Sequence, residues 1–198
     1  MENLTGELEI GRISSTEASG KISNLALYKT LLDAQTIKQF AKSRFTPMRD
    51  NRFSVVDFDG SNDYISFSDT NLPSGDAPVT IALWFNYNDS EELFGYGTGT
   101  TNGNIIRIMS NKFRSVLWDS NTSGSSTLSV GVWYHGVFTF DGSTRKLYIN
   151  GSQELSNSVS GSTTLSGTGY IGKGTADSGW IDGSISSVSI YKTALDAQ

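Results

Sequence analysis

Apolar residues in this chain recur with a period of two, in short runs broken by turn residues. Val79, Ile81, Leu83 and Phe85 share one face, and Thr80, Ala82, Trp84 and Asn86 share the other. Such alternation marks a half-buried β-strand. The stretch Trp133-Tyr134-His135-Gly136-Val137-Phe138-Thr139-Phe140 places apolar groups on both faces. It predicts a strand covered on both sides, by a second sheet or by a long loop. Asp141-Gly142-Ser143 then turns the chain. In the return strand Leu147 and Ile149 alternate with Lys146, Tyr148 and Asn150, and Asn150-Gly151 signals the next turn. Residues 53–58, 64–67, 92–96, 104–110 and 112–118 extend the series, with polar loops at 120–126 and 161–169. Roughly ten to twelve strands of ordinary length suit two packed antiparallel sheets.

Residues 1–50 read differently. Strand candidates ending at Gly11-Arg12 and spanning 20–30 precede the one good helix pattern, at 33–44. Asp33 is a natural N-cap, and Leu32 and Ile37 occupy the staple positions around it. Ile37, Phe40, Ala41 and Arg44 follow the spacing of a single helix face. Pro47 closes the segment, and 46–52 reads as a linker. The end of the chain repeats this beginning: residues 183–198 match residues 20–35 at ten of sixteen positions. A long-period repeat of this kind signals tandem domain copies. The expected organisation is therefore the closing strands and helix of a preceding repeat, plus linker, over 1–50, and a domain over 51–198.

Composition narrows the function. The chain has no cysteine, so disulfides, thiolate nucleophiles and Cys-rich zinc sites are excluded. A net charge of −5 argues against nucleic acid as a partner. No apolar run reaches the ~20 residues of a membrane-spanning helix, so no membrane insertion is expected. Met1-Glu2-Asn3-Leu4 does not begin a basic and then apolar signal peptide. Export would need a signal outside this chain or another route, such as a virion.

An ordered series of short motifs adds a resemblance. Phe58-Asp59-Gly60-Ser61-Asn62-Asp63-Tyr64-Ile65 opens it, followed by residues 79–85, Trp133-Tyr134-His135 and Asp141-Gly142. Leu147-Tyr148-Ile149-Asn150-Gly151, Gly169-Tyr170-Ile171-Gly172 and Gly183-Ser184-Ile185 to Ile190-Tyr191 complete it. In this the chain resembles the laminin-G-like, concanavalin A-like jelly-roll superfamily over 55–198, and residues 6–45 resemble the tail of a neighbouring copy. The resemblance implies an all-β, two-sheet antiparallel jelly-roll sandwich, with a short N-terminal strand and α-helix appendage. It also implies a non-catalytic binding or adhesion module.

The residues agree that catalysis is not expected. Glycosidases need two carboxylates flanking one bond, and no such closely spaced run is present. Glu91 and Glu92 point to opposite faces of a strand, and Asp59, which shares a face with Asp57, begins a turn. The single histidine, His135, has no triad partner recognisable by spacing. No cofactor is certain from these residues, and calcium is the one they could hold. The resemblance points to Asn102 and Asn104 with Asp177. A second cluster, Asp59, Asn62 and Asp63, reads equally well as an Asx-turn. Glycan binding needs an exposed aromatic platform beside loop polar groups. Trp118 with Asp119 and Asn121, Trp180, and Tyr96 between two glycines are the candidates, whereas Trp84 and Trp133 read as core. The expected function is a carbohydrate-binding or adhesion module of a tandem-repeat protein on a cell or virion surface, with a glycan or surface protein as partner. The alternative is a structural assembly module whose N-terminal arm contacts a neighbouring subunit and builds a homo-oligomer.

Overall fold

A computed structural model describes residues 12–13, 16–17, 55–90, 92–175 and 179–196. The chain divides into two compact units, Met1–Lys42 and Ser43–Gln198. In the first, β1 (Arg12–Ile13) and β2 (Thr16–Glu17) form a short antiparallel ladder with Arg12 opposite Glu17. The expected strand at 20–30, helix at 33–44 and linker at 46–52 lie outside the described residues.

The second unit contains two six-stranded antiparallel sheets that form a jelly-roll sandwich. Its strands in chain order are β3 (Val55–Asp59), β4 (Ile65–Phe67), β5 (Val79–Tyr87) and β6 (Glu92–Thr98). Then come β7 (Asn102–Met109), β8 (Lys112–Leu117), β9 (Ser120–Ser123) and β10 (Tyr134–Phe140). The set closes with β11 (Thr144–Ile149), β12 (Ser152–Ser158), β13 (Gly169–Ile171) and β14 (Asp182–Tyr191). The first sheet runs β12-β11-β10-β5-β14-β3, and the second runs β4-β13-β6-β7-β8-β9.

The period-two pattern is what closes the sandwich. Val79, Ile81, Leu83, Phe85 and Tyr87 of β5 all point inward and are buried. Phe138 and Phe140 of β10, with Leu147 and Ile149 of β11, lie beside them on the same face. From the second sheet Phe94, Ile106, Ile108, Phe113 and Leu117 meet this layer. Phe85 and Phe113 stack at 5.7 Å across the interface. Gly136 makes room for that pair: a Cβ there would lie 2.7 Å from the Phe113 ring. A buried side chain of this size contributes about 1.5–3 kcal/mol, so this aromatic layer carries much of the stability.

Two polar segments behave differently from their pattern. Ser120–Ser123, expected as part of a loop, pairs with β8 as an edge strand. Ser152–Ser158 has almost no apolar alternation, yet pairs with β11, Leu155 lying opposite Leu147. Edge strands bury one side at most, so backbone pairing alone can define them.

The strand expected to be covered on both faces is covered on one. The inner face of β10 belongs to the core; its outer face carries His135, Val137 and Thr139, all lining an open groove.

Candidate functional site

The groove, about 740 Å³, lies on the outer face of β5, β10 and β14. Its floor follows from register. Trp84 is paired with His135, Ala82 with Val137, and Thr80 with Thr139. Trp84 and His135 are each half-buried, and their ring centroids are 5.1 Å apart at 37°. Tyr148, opposite Val137 on β11, extends the apolar floor, and Trp133 lines the groove just ahead of β10.

A bulge in β14 builds the third side. Ser186 still pairs with Trp84, but Ser187 adopts φ 51°, and the register resumes at Ser189 opposite Ala82. The inserted residue switches outward parity from even to odd positions. Ser187, Ser189 and Tyr191 therefore line the groove, while Ile190 packs against the core. The tail then folds back over the sheet. The Thr80 hydroxyl donates to the Thr193 carbonyl at 2.8 Å and accepts from the Leu195 N–H at 2.9 Å. This fixes Leu195 and Asp196 in the groove lining.

At the β10–β11 end, Asn150 and Gly151 form the expected turn, both with positive φ. The Asn150 side-chain oxygen accepts from the His135 N–H at 2.9 Å, and the Asn150 N–H donates to the His135 carbonyl at 2.8 Å. Burial lowers the His135 pKa below its ordinary value. Burial thus favours the uncharged imidazole, which offers one donor and one acceptor nitrogen.

The residues singled out from sequence sit elsewhere. Trp118 has φ 53° and is half-buried; its ring meets Phe140 edge-on at 5.1 Å, and its indole N–H donates to the Thr163 hydroxyl at 2.8 Å. Gly161 lies so close that an added Cβ would strike the ring. Asn121 is on the other side of that sheet, its side-chain oxygen accepting from Arg107 at 3.2 Å. Asp119 is exposed in the turn between them. These three residues share no common face. Tyr96 is 1% exposed and donates to the Pro73 carbonyl at 3.2 Å; burial pushes its pKa up to about 12. It has no ring face left for a ligand, because the flanking glycines admit close backbone approach instead of opening the surface. Trp180 walls an aromatic box with Tyr170 and Tyr64, whose occupant is the buried Lys173 ammonium at 4.5–5.8 Å from the three rings.

Four of the calcium candidates are engaged within the chain. Asp59 accepts from the Ser61 N–H, and Asp63 from the Asp59 N–H, which is Asx-turn geometry. Asn62 is exposed in that turn. Gly103 faces Thr175 of the loop leading toward Asp177. Asn102 and Asn104 alternate with Gly103 along β7 and so project to the opposite side. Asn102 donates to the Ser162 carbonyl, and Asn104 is buried beside the Tyr96 hydroxyl. Asp177 lies outside the described residues. Among the described residues no three acidic or histidine side chains converge.

Comparison with known proteins adds the decisive fact. Residues 59–198 match the family profile described as the concanavalin A-like lectin/glucanases superfamily. The chain belongs to this superfamily. Several solved structures share its fold. The mouse laminin alpha1 chain, domains LG4-5, is 14% identical with a TM-score of 0.56, over 69% of this chain and 41% of that one. The CBM40 of the Ruminococcus gnavus IT-sialidase, bound to α2,3-sialyllactose, is 12% identical with a TM-score of 0.55, over 72% and 93%. Domain 4 of AbnA, an extracellular arabinanase from Geobacillus stearothermophilus, in complex with arabinotriose, is 15% identical with a TM-score of 0.51, over 73% and 84%. This chain thus spans about two fifths of the laminin chain it matches. No curated protein sequence matches it. Among the described residues no helix is long and apolar enough to cross a membrane.

Sequence reasoning missed Trp84 and Trp133 because a tryptophan in mid-strand suggests core. The available signal was parity. Trp84 alternates with four residues that are all apolar, so it has to face the other side of the sheet from them.

Proposed function

We propose that this protein is a non-catalytic carbohydrate-binding module that holds its glycan in the groove over β5, β10 and β14. The observation that carries the reading is the Trp84–His135 pair on the groove floor, ringed by Asn150, Ser187, Ser189 and Tyr191. A pyranose or furanose ring offers C–H groups on one face and hydroxyls around its rim. Aromatic rings take the first, and amide, hydroxyl and neutral imidazole groups take the second. The fold relatives solved with arabinotriose and sialyllactose give this reading analogical support only. The reading needs no cation, and its expectation is binding independent of calcium. The chain acts outside the cell, on a cell or virion surface, as one copy in a tandem series; the repeat between residues 20–35 and 183–198 supports that placement. A glycan array probed with the full chain, with and without a chelator, tests the proposal. Chelator-insensitive binding that Trp84→Ala removes is expected, and a blank array rejects it.

A second reading rests on the repeat itself. Tyr191, Leu195 and Asp196 line the groove, and their counterparts Tyr28, Leu32 and Asp33 lead into the segment 33–44 with its apolar face. On this reading the groove receives that segment from a neighbouring molecule, and the protein serves assembly. Light scattering behind size exclusion separates the two. A monomeric full chain excludes assembly through the arm, and a defined oligomer that a chain beginning at Phe53 does not form supports it.

A further inference from the structure

We infer that the groove selects uncharged saccharide chains and rejects glycans bearing carboxylate or sulfate groups, an inference that rests on the carbohydrate reading above. Among the described residues no lysine or arginine lines the groove, and the one lining residue with a formal charge is Asp196. The closest lysines in sequence and register do not change this. Lys146 stands opposite Thr139, but its charge acts on Asp141 at the hairpin turn, and it does not line the groove. Lys192 follows Tyr191 but is exposed and also outside the lining. His135 is the one remaining basic group of the described lining, and burial lowers its pKa, which favours the neutral form.

An anionic sugar placed on the Trp84 floor would give up part of its water, with no lysine or arginine of the described lining in return. Burying a charge without a partner costs more than the neighbouring hydroxyl contacts restore. A neutral sugar has no such cost. Its C–H face lies on the rings, and its hydroxyls exchange hydrogen bonds with Asn150, Ser189 and Tyr191. The ligand of the sialidase module is anionic, and this groove lacks the counter-charge such a ligand requires. The exclusion is therefore an unpaired charge set against the wrong ligand, as well as contacts made to the right one.

His135 is the only histidine in the chain, so its imidazole proton resonances report this site without ambiguity. The full chain is titrated with neutral glycans (arabinan, galactan, xylan, β-glucan, mannan) and with anionic ones (polygalacturonate, hyaluronan, heparin, α2,3-sialyllactose). At least one neutral glycan is expected to move the His135 signals. Anionic glycans are expected to bind there at least roughly tenfold more weakly, the lower end of what leaving a desolvated polar or charged group unpaired costs. Trp84→Phe, which keeps a ring, should retain neutral binding, and Trp84→Ala should lose it. If an anionic glycan is the tightest ligand that moves His135, the selectivity inference falls and the carbohydrate reading stands. If no glycan moves His135, both fall.

Discussion

Trp84 and His135 face one another across the β5–β10 ladder, 5.1 Å between ring centroids, on the outer side of a sheet whose inner side is core. Neither ring is needed to seal the sandwich, because Leu83 and Phe85 on one strand and Gly136 and Phe138 on the other do that. Truncating the Trp84 ring should therefore act mainly on ligand binding. As a central interface residue it is expected to cost about 2 kcal/mol or more in binding, roughly thirtyfold in Kd. Calorimetric titration of wild type and Trp84→Ala with the same glycan checks this.

Trp118 should behave in the opposite way. Its edge contact with Phe140 and its bond to Thr163 make it a packing residue. Trp118→Ala is expected to destabilise by about 2–3 kcal/mol, below the range for a fully buried tryptophan, and to leave glycan affinity unchanged. Denaturant unfolding read beside a binding isotherm measures both quantities.

The two sheets are joined by a buried cation. Arg145 of β11, 0% exposed, donates to the Ser120 carbonyl at 2.6 Å, the Ser120 hydroxyl at 3.0 Å and the Ser115 hydroxyl at 3.3 Å on the other sheet. Burial lowers its pKa to about 10. Arg145→Ala would orphan these acceptors and open a cavity, and a loss of at least about 2 kcal/mol is expected. Arg145→Met restores volume but no donors, so it should recover only part of that loss. Hydrogen exchange at β9 should rise in both variants, since Arg145 pins that edge strand.

Asp69 ties three segments together in the same manner. Fully buried, it accepts from the N–H groups of Gly97, Ser166 and Gly167 and from the Ser166 hydroxyl. Asp69→Asn substitutes a donor for one acceptor oxygen. The expected cost is about 1.5–3 kcal/mol, the weight of hydrogen bonds to a charged group, with faster amide exchange confined to 97 and 166–167.

Acid should weaken the fold in two stages. His135 has a folded pKa below its unfolded value of about 6.5. In the window below that value the unfolded state binds more protons, so stability falls as pH drops from about 6.5. Asp141, whose pKa is lowered by the N–H groups of Thr144 and Ser143, adds a second loss once pH falls through the ordinary carboxylate range. Thermal midpoints from pH 8 to pH 3 should show both steps, and His135→Gln should remove only the first.

The sandwich was legible because period-two alternation states which residues are core, and β5 shows this most plainly. The hairpin at Asp141-Gly142 and the turn at Asn150-Gly151 were equally plain, since positive φ at Gly142, Asn150 and Gly151 needs those residue types. What stayed hidden depends on partners distant in sequence. The polar strand Ser152–Ser158 is defined by its neighbour β11. The bulge at Ser187 leaves no mark in a run of serines, yet it is what turns Tyr191 outward. Tryptophans near polar loops drew attention to Trp118 and Trp180, but Trp118 packs against Phe140 and Gly161, Trp180 faces the Lys173 ammonium, and the open aromatic surface lies in mid-sheet.

The most direct test of the account is the His135 imidazole signal in the full chain as a neutral glycan that binds it is added. Saturable shifts that disappear in Trp84→Ala are predicted. Glycan binding that leaves the His135 signal in place would contradict the groove as the binding site.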